Sequence, residues 1–197
     1  MELFEQLDDV RERWNVLDHP FYRRWERGEL TRDELAFYAG EYRHAVVALA
    51  QTASAGGSAE HAAEERAHID LWDDFAAALE APLDRAPTTE TETCTAAWTR
   101  TDPLEAAAVM YAVESSQPAI AVTKLTGLVE HYGFAPDSPA TEYFSLHADR
   151  DHEHAAEARS ILENEATPAD ADRLVAAAER ALEGNWRLLD GVEATRA

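Results

Sequence analysis

Apolar positions recur along most of this chain at intervals of three and four residues, the spacing of one face of an α-helix. No segment alternates apolar and polar residues for long enough to make a half-buried strand. The pattern predicts an all-α fold with helices over residues 2–17, 31–56, 58–80, 103–132, 138–165 and 168–192. Thr31 with Glu34 forms a capping box, Asp102-Pro103 places an N-cap before a proline in the first turn, and Thr167-Pro168 with Asp170 repeats that device. Gly56-Gly57-Ser58 divides one long pattern in two, and Tyr132-Gly133 ends the next. Residues 82–101, rich in Thr, Pro and Glu, form the one long connection, with a short helix expected near 95–99. No repeat of fixed period occurs, and 197 residues with 46% hydrophobic composition suit a single domain over residues 1–197.

Charge narrows the range of partners. Thirty-nine acidic against 17 basic residues give a net charge of −22, which disfavours phosphate backbones and anionic membranes, so neither nucleic acid nor membrane is expected as a partner. With no long apolar run and no basic, apolar leader pattern at the start, the expected location is the cytoplasm. Lysine occurs once, at Lys124, and an acidic surface that uses Arg for Lys suggests adaptation to high salt; the alternative is a merely soluble surface from a GC-rich genome. Cys94, the single cysteine, lies in the polar connection, so a metal would have to be held by His and carboxylates.

Three segments carry such groups. His147, Asp151 and His154 are spaced by four and three residues and fall within a helical sector of about 60°, whereas His152 points elsewhere and reads as solvated. In SAEHAAEERAHIDLWDDF, residues His61, Glu64, Glu65 and His68 share a face, and Glu65 with His68 has the Glu-x-x-His spacing by which helical bundles present a carboxylate and an imidazole to paired metals. Spacing alone leaves Glu65, Glu64 and His61 open as the partner of His68. The plainer reading is an amphipathic helix with Ile69, Trp72 and Phe75 as its core stripe. Glu114 stands in the apolar run LEAAAVMYAVESSQPAIAVTKL, where an unpaired charge would be expensive, so it needs a metal or a buried ion pair with Lys124 or His68. Pro118 removes the amide that would bond the Glu114 carbonyl, which predicts a kink there, with Gln117 satisfying part of the break. Oxygen and nitrogen ligands without thiolate suit iron or manganese, and three carboxylates with three imidazoles suit a two-metal site.

These segments, with HPFYRRWERGELTRDELAFYAGEY and YAVESSQPAIAVTKLTGLVEHYGF, make the chain similar to the haem-oxygenase-like diiron oxidases, most of all the CADD family, with PqqC and TenA proteins as more distant relatives. The resemblance covers nearly the whole chain and implies an all-α bundle of about seven helices. It implies metal ligands at Glu65, His68, Glu114, His147, Asp151 and His154, holding two Fe ions or an Mn/Fe pair that react with O2. It further implies a para-aminobenzoate synthase for folate that consumes a tyrosine of its own chain, with Tyr22 in the place of that tyrosine, Lys124 in the place of a required lysine and Tyr143 close by. An external reductant and a homodimer belong to the same expectation. Val113 stands where the family has a tyrosine, which leaves the product open, and the segment before His68 is shorter than in that family, which leaves the sixth ligand open. A small molecule in the pocket is the alternative substrate. Packing against Phe21 and Trp25 is the plainer role for Tyr22, and an incidental surface position the plainer one for Lys124. Among many carboxylates, the Lys124 ammonium is expected to keep a high pKa.

Two competing functions differ in chemistry. A TenA-like hydrolase of thiamine-related pyrimidines needs no metal but depends on a nucleophilic cysteine; Glu41 would be its substrate-binding carboxylate, and Cys94 is poorly placed as its nucleophile. A non-catalytic ligand-binding protein would have no physical reason to gather three buried carboxylates.

Overall fold

Polar side chains determine where the helices of this chain begin, as the computed structural model shows for residues 2–195; Met1, Arg196 and Ala197, the ends of the expected domain, lie outside the described residues. Nine α-helices occur among the described residues: α1 Leu3–Arg13, α2 Pro20–Glu26, α3 Arg32–Gly56, α4 Ala59–Ala78, α5 Thr89–Trp98, α6 Pro103–Glu114, α7 Gln117–Glu130, α8 Pro139–Glu165 and α9 Ala171–Ala194, with a 3₁₀ turn at Val16–Asp18. The expected capping box at Thr31 and Glu34 starts α3, and Asp102 accepts from the Glu105 amide at the start of α6.

Two more helices are present than the seven expected. Residues 18–30, left without an element, contain α2, because the His19 ring accepts from the Phe21 amide and Pro20 occupies the first turn. The predicted helix over 103–132 is two helices, broken at Ser115 and Ser116 just before Pro118. Gln117 does not repair that break: its side chain donates to the Tyr42 hydroxyl at 3.4 Å, while Arg11 reaches across to the Ser115 carbonyl at 3.0 Å. The connection over 82–101 holds a longer helix than expected, α5, which buries Thr91, Cys94 and Trp98 on one face. Thus Cys94 is a core residue and not part of a polar loop. The last helix starts at Ala171 and not at residue 168, because Asp170 turns back to accept from the Thr167 amide and hydroxyl at 2.9 and 2.6 Å.

All nine helices contribute to one buried cluster. Helix α6 lies at its centre, buried at every position from Ala106 to Glu114, and packs on α3, α8 and α9. Helices α4 and α7 pack on α8, and α4 also on α3, so α4, α6 and α8 meet along one seam. Buried tryptophans tie neighbours together through their indole N–H groups: Trp25 donates to the Lys124 carbonyl, Trp72 to Ala39 and Trp98 to Ala181. None of the described helices is long and apolar enough to cross a membrane.

Trp25 can approach α7 because Gly127 faces it; a Cβ there would lie 2.5 Å from the indole Cδ1. We expect Gly127→Ala to destabilise the protein by about 1–3 kcal/mol through forced displacement of a fully buried ring. Urea unfolding measures this, and an unchanged midpoint would show that the ring yields freely.

Candidate metal centre

Ser58 caps α4 by accepting from the His61 amide, and this start sets the helix phase so that His61, Glu65 and His68 all point inward, at 2%, 2% and 5% exposure. The three residues that spacing left open are separated by this phase. Glu65 and His61 face the seam, and half-buried Glu64 faces out to Arg150 at 3.0 Å. On α8, His147, Asp151 and His154 are buried as a stripe and His152 is exposed. Glu114 ends α6 and is buried to 1% exposure. The amphipathic reading of α4 also holds in part, since Trp72 and Phe75 are core residues and Ile69 is half-buried.

Glu65 Oε1 is the hub. It lies 2.9 Å from His68 Nδ1, 3.7 Å from His154 Nδ1 and 3.9 Å from His61 Nε2. The same His61 nitrogen is 3.1 Å from Glu114 Oε1. Two sets of donor atoms result, each within 4.8 Å: His61, Glu65, Glu114 and His154 in one, and Glu65, His68 and His147 in the other, with Glu65 in both. Asp151 belongs to neither close set, but its Oδ1 lies 3.7 Å from His154 Nδ1. His61, which spacing offered only as an alternative, is therefore as central as the six residues named above, and its signal was the seven-residue interval to His68.

These donors lack ordinary hydrogen bonds. His61 Nε2, His68 Nδ1, His147 Nε2, His154 Nδ1 and both oxygens of Glu114 and of Asp151 are buried without a hydrogen-bond partner. Two of the opposite ring nitrogens are occupied, with His147 Nδ1 donating to the Tyr143 carbonyl at 2.7 Å and His154 Nε2 to Glu64 at 2.8 Å. Imidazoles fixed from behind and bare in front are oriented for ligation. The cluster fits a metal such as iron, whose charge would answer carboxylates that burial otherwise penalises. Burial, then the nearby Glu65, holds Glu114 well above the usual carboxylate range, and burial with Glu114 and Glu65 does the same to Asp151. Glu65 lies below that range despite its burial, because the His68 imidazole lies 2.9 Å away and the other imidazoles surround it. Burial drives His147 down to about 3 and also lowers His154, which leaves their rings neutral.

A second chamber adjoins this one. Tyr143 stacks on His147 with ring centroids 3.9 Å apart and packs against Trp72 at 4.9 Å. Beyond Trp72, Lys124 Nζ lies among ring faces, 4.5 Å from the centroid of Tyr42, 5.3 Å from Tyr38, 5.4 Å from Trp72, 5.6 Å from Phe144 and 5.7 Å from Tyr22. Lys124 is 1% exposed, its Nζ has no hydrogen-bond partner, and burial lowers its pKa from 10.5 to about 7. This corrects two expectations: Lys124 is no surface residue, and it keeps no high pKa, because rings and not carboxylates surround it. Tyr22 packs on Phe21 and Trp25 as the plainer reading held, and its hydroxyl also meets that of Tyr38 at 3.4 Å. Glu41 is outside both chambers; its Oε2 accepts from the Thr88 amide and hydroxyl and so anchors the start of α5. Cys94 is fully buried with its thiol pKa raised by burial, the reverse of an activated nucleophile.

Solved structures share this architecture. A domain of unknown function with a haem-oxygenase-like fold from Shewanella denitrificans matches with a TM-score of 0.77 at 21% identity, over 98% of this chain and 93% of that one. A TenA homologue from Pseudomonas syringae gives 0.76 at 17%, over 98% and 91%. Fold and site together thus define a haem-oxygenase-like helical bundle with a buried His/carboxylate cluster able to bind metal. Residues 57–186 match the iron-containing redox enzymes, and the chain belongs to that family. Sequence relatives include 4-aminobenzoate synthases of Nitrosomonas europaea, 32% identical over 95% of this chain and 89% of that one, and of Chlamydia trachomatis, 31% identical over 96% and 91%. The chain is a metal-dependent oxidoreductase.

The lowered pKa of Lys124 has a measurable sign. Between about 7 and 10.5 the folded protein binds fewer protons than the unfolded chain, so stability rises with pH across that window and this contribution is lost below it. Metal-free Lys124→Met should be more stable than the wild type below pH 7, by on the order of a few kcal/mol, with the gap closing toward pH 10. Urea titrations at pH 6 and pH 10 read this directly; equal gaps would mean that the amine is not the cause.

Proposed function

We propose that this chain is a self-processing 4-aminobenzoate synthase, in which two iron ions and O2 oxidise a tyrosine of the chain itself beside the Lys124 amine. The observation that carries this reading is the Lys124 amine, enclosed by Tyr22, Tyr38 and Tyr42 with no hydrogen-bond partner, next to a cluster of bare imidazole and carboxylate donors. The relatives named for that product support it, each matching along most of its length. Glu65, His68, Glu114, His147, Asp151 and His154 would hold the metals, with His61 beside them. Iron on such nitrogen and oxygen donors supplies a one-electron couple that, with O2, can oxidise a phenol.

The chain's own groups do the rest. Burial keeps the Tyr22, Tyr38, Tyr42 and Tyr143 phenols protonated, with pKa values raised above the ordinary one. A phenol that loses an electron must also lose its proton, and Lys124 Nζ, free base in part at neutral pH, is the nearby acceptor. The same amine reaches over these rings from α7, 4.5 Å from the Tyr42 centroid, and would be the nitrogen source of the product. Packed aromatic walls exclude water, which would otherwise compete for an oxidised ring. Tyr22 is the assigned ring, and Tyr143, stacked on His147, links the two chambers. A thiol-dependent hydrolysis has no such support, because Cys94 is buried within α5.

Anaerobic loading with ferrous iron followed by O2 tests the reading by intact mass and peptide mapping. A mass loss at Tyr22 that is absent in Tyr22→Phe is expected. Product formed with no change in mass would instead require an external substrate. Glu114→Ala should retain iron about 10-fold less well or worse than the wild type, and wild-type retention in that variant would remove the metal from this site.

A further inference from the structure

Arg180 is out of keeping with the rest of the molecule. In a chain with 39 acidic and 17 basic residues, it alone of the described arginines has a side chain with no hydrogen bond, ion pair or ring contact. It stands on α9 at a groove of about 680 Å³ that runs along the α5–α9 contact and shares no residue with the cluster of metal-binding donors. The two helices are antiparallel: Gly191 faces Glu90, Gly184 faces Cys94, and Trp98 donates to the Ala181 carbonyl at 2.9 Å. Gly184 lets them close in, since a Cβ there would lie 3.1 Å from Cys94 Cα and 3.4 Å from Ala97 Cβ. Ala96, Ala97 and Gly184 therefore form an apolar stretch of the groove wall. The antiparallel order puts Arg100, just past the end of α5, at the same end of the groove as Arg180. Arg100 donates to the Ala96 and Thr99 carbonyls at 2.8 Å, but its Nε is buried with no hydrogen-bond partner. Its one ion-pair partner, Glu105, lies at 3.6 Å and is shared with Arg173 at 3.5 Å. Burial, and then the Arg180 charge, lower the Arg100 pKa.

We propose that the Arg100–Arg180 end of this groove is a binding site for a small organic carboxylate with a flat apolar body, separate from the metal centre and independent of its chemistry. Two guanidinium groups close together repel each other, and an anion set between them turns that repulsion into attraction. The guanidinium fork matches a planar carboxylate, and its face packs on an aromatic ring. The wall of Ala96, Ala97 and Gly184 takes the apolar body out of water. A phosphate dianion is disfavoured at the same place. Arg100 sits over the last carbonyls of α5, the negative end of that helix, and the net charge of −22 repels a second negative charge. Further along the groove, Arg187 is answered by Glu183 at 3.3 Å and Asp190 at 3.9 Å, and Glu90 adds another carboxylate. The anion therefore has its place at the Arg100–Arg180 end.

Calorimetric titration of benzoate into the full chain tests this, with the protein freed of metal so that the carboxylate has no iron to bind. The wild type should take up benzoate with a Kd of about 1 mM or tighter. Arg180→Gln should weaken binding about 10-fold or more. Because the Arg180 side chain makes no contact of its own, that variant should melt at the wild-type temperature, which separates lost binding from general damage. Amide resonances of Thr93, Ala97 and Gly184 should shift with benzoate in the wild type and stay in place in Arg180→Gln at the same concentration. No binding by the wild type, a Kd unchanged in Arg180→Gln, or inorganic phosphate binding as tightly as benzoate overturns the proposal.

Discussion

A single carboxylate oxygen, Glu65 Oε1, faces His61, His68 and His154 inside a helical seam, and the other charged groups of the seam depend on it. Without that arrangement Glu114 and Asp151 would be two further carboxylates in an apolar interior, where desolvation amounts to several kcal/mol per ion. The imidazoles hold Glu65 below the usual carboxylate range, whereas burial pushes Glu114 and Asp151 well above it. The imidazoles complete a set of donors that is incompletely satisfied. That incompleteness distinguishes the seam, as a cluster able to bind metal, from an ordinary buried ion-pair network.

The aromatic chamber solves a different problem with the same means. A lone lysine in an acidic chain would ordinarily sit in water beside a carboxylate. Here α7 carries it under α2, α3 and α4, where Tyr22, Tyr38, Tyr42 and Trp72 present ring faces. Ring faces attract an ammonium, while burial disfavours one, and the balance leaves an amine that can exchange its proton near neutrality. Trp72 and Tyr143 form the wall between the cluster of metal-binding donors and the Lys124 amine.

Much of the site was legible along the chain because helices translate spacing into faces. The intervals in His147, Asp151 and His154 and in His61, Glu65 and His68 are multiples of about one turn, and each set is buried together. Glu114 was conspicuous as a charge in an apolar run. What spacing could not do was separate Glu64 from Glu65, since neighbours 100° apart both border the same face; the phase set by Ser58 does that. Boundaries governed by local side-chain chemistry were the weakest part: His19 starts an unexpected helix, and Asp170 delays an expected one.

The sequence by itself determined the all-helical class, the caps at Thr31 and Asp102, the break ahead of Pro118 and the stripes that carry imidazoles and carboxylates, because each of these depends on residues within about one or two turns of one another. Only the tertiary structure decided that Lys124 is enclosed by rings, that Cys94 is core, that Glu41 anchors α5 and that His61 joins Glu114 across the seam. Those outcomes depend on which helices pack together, and the burial that shifts Glu114, Asp151, His147 and Lys124 is a property of the packed bundle and of no single segment.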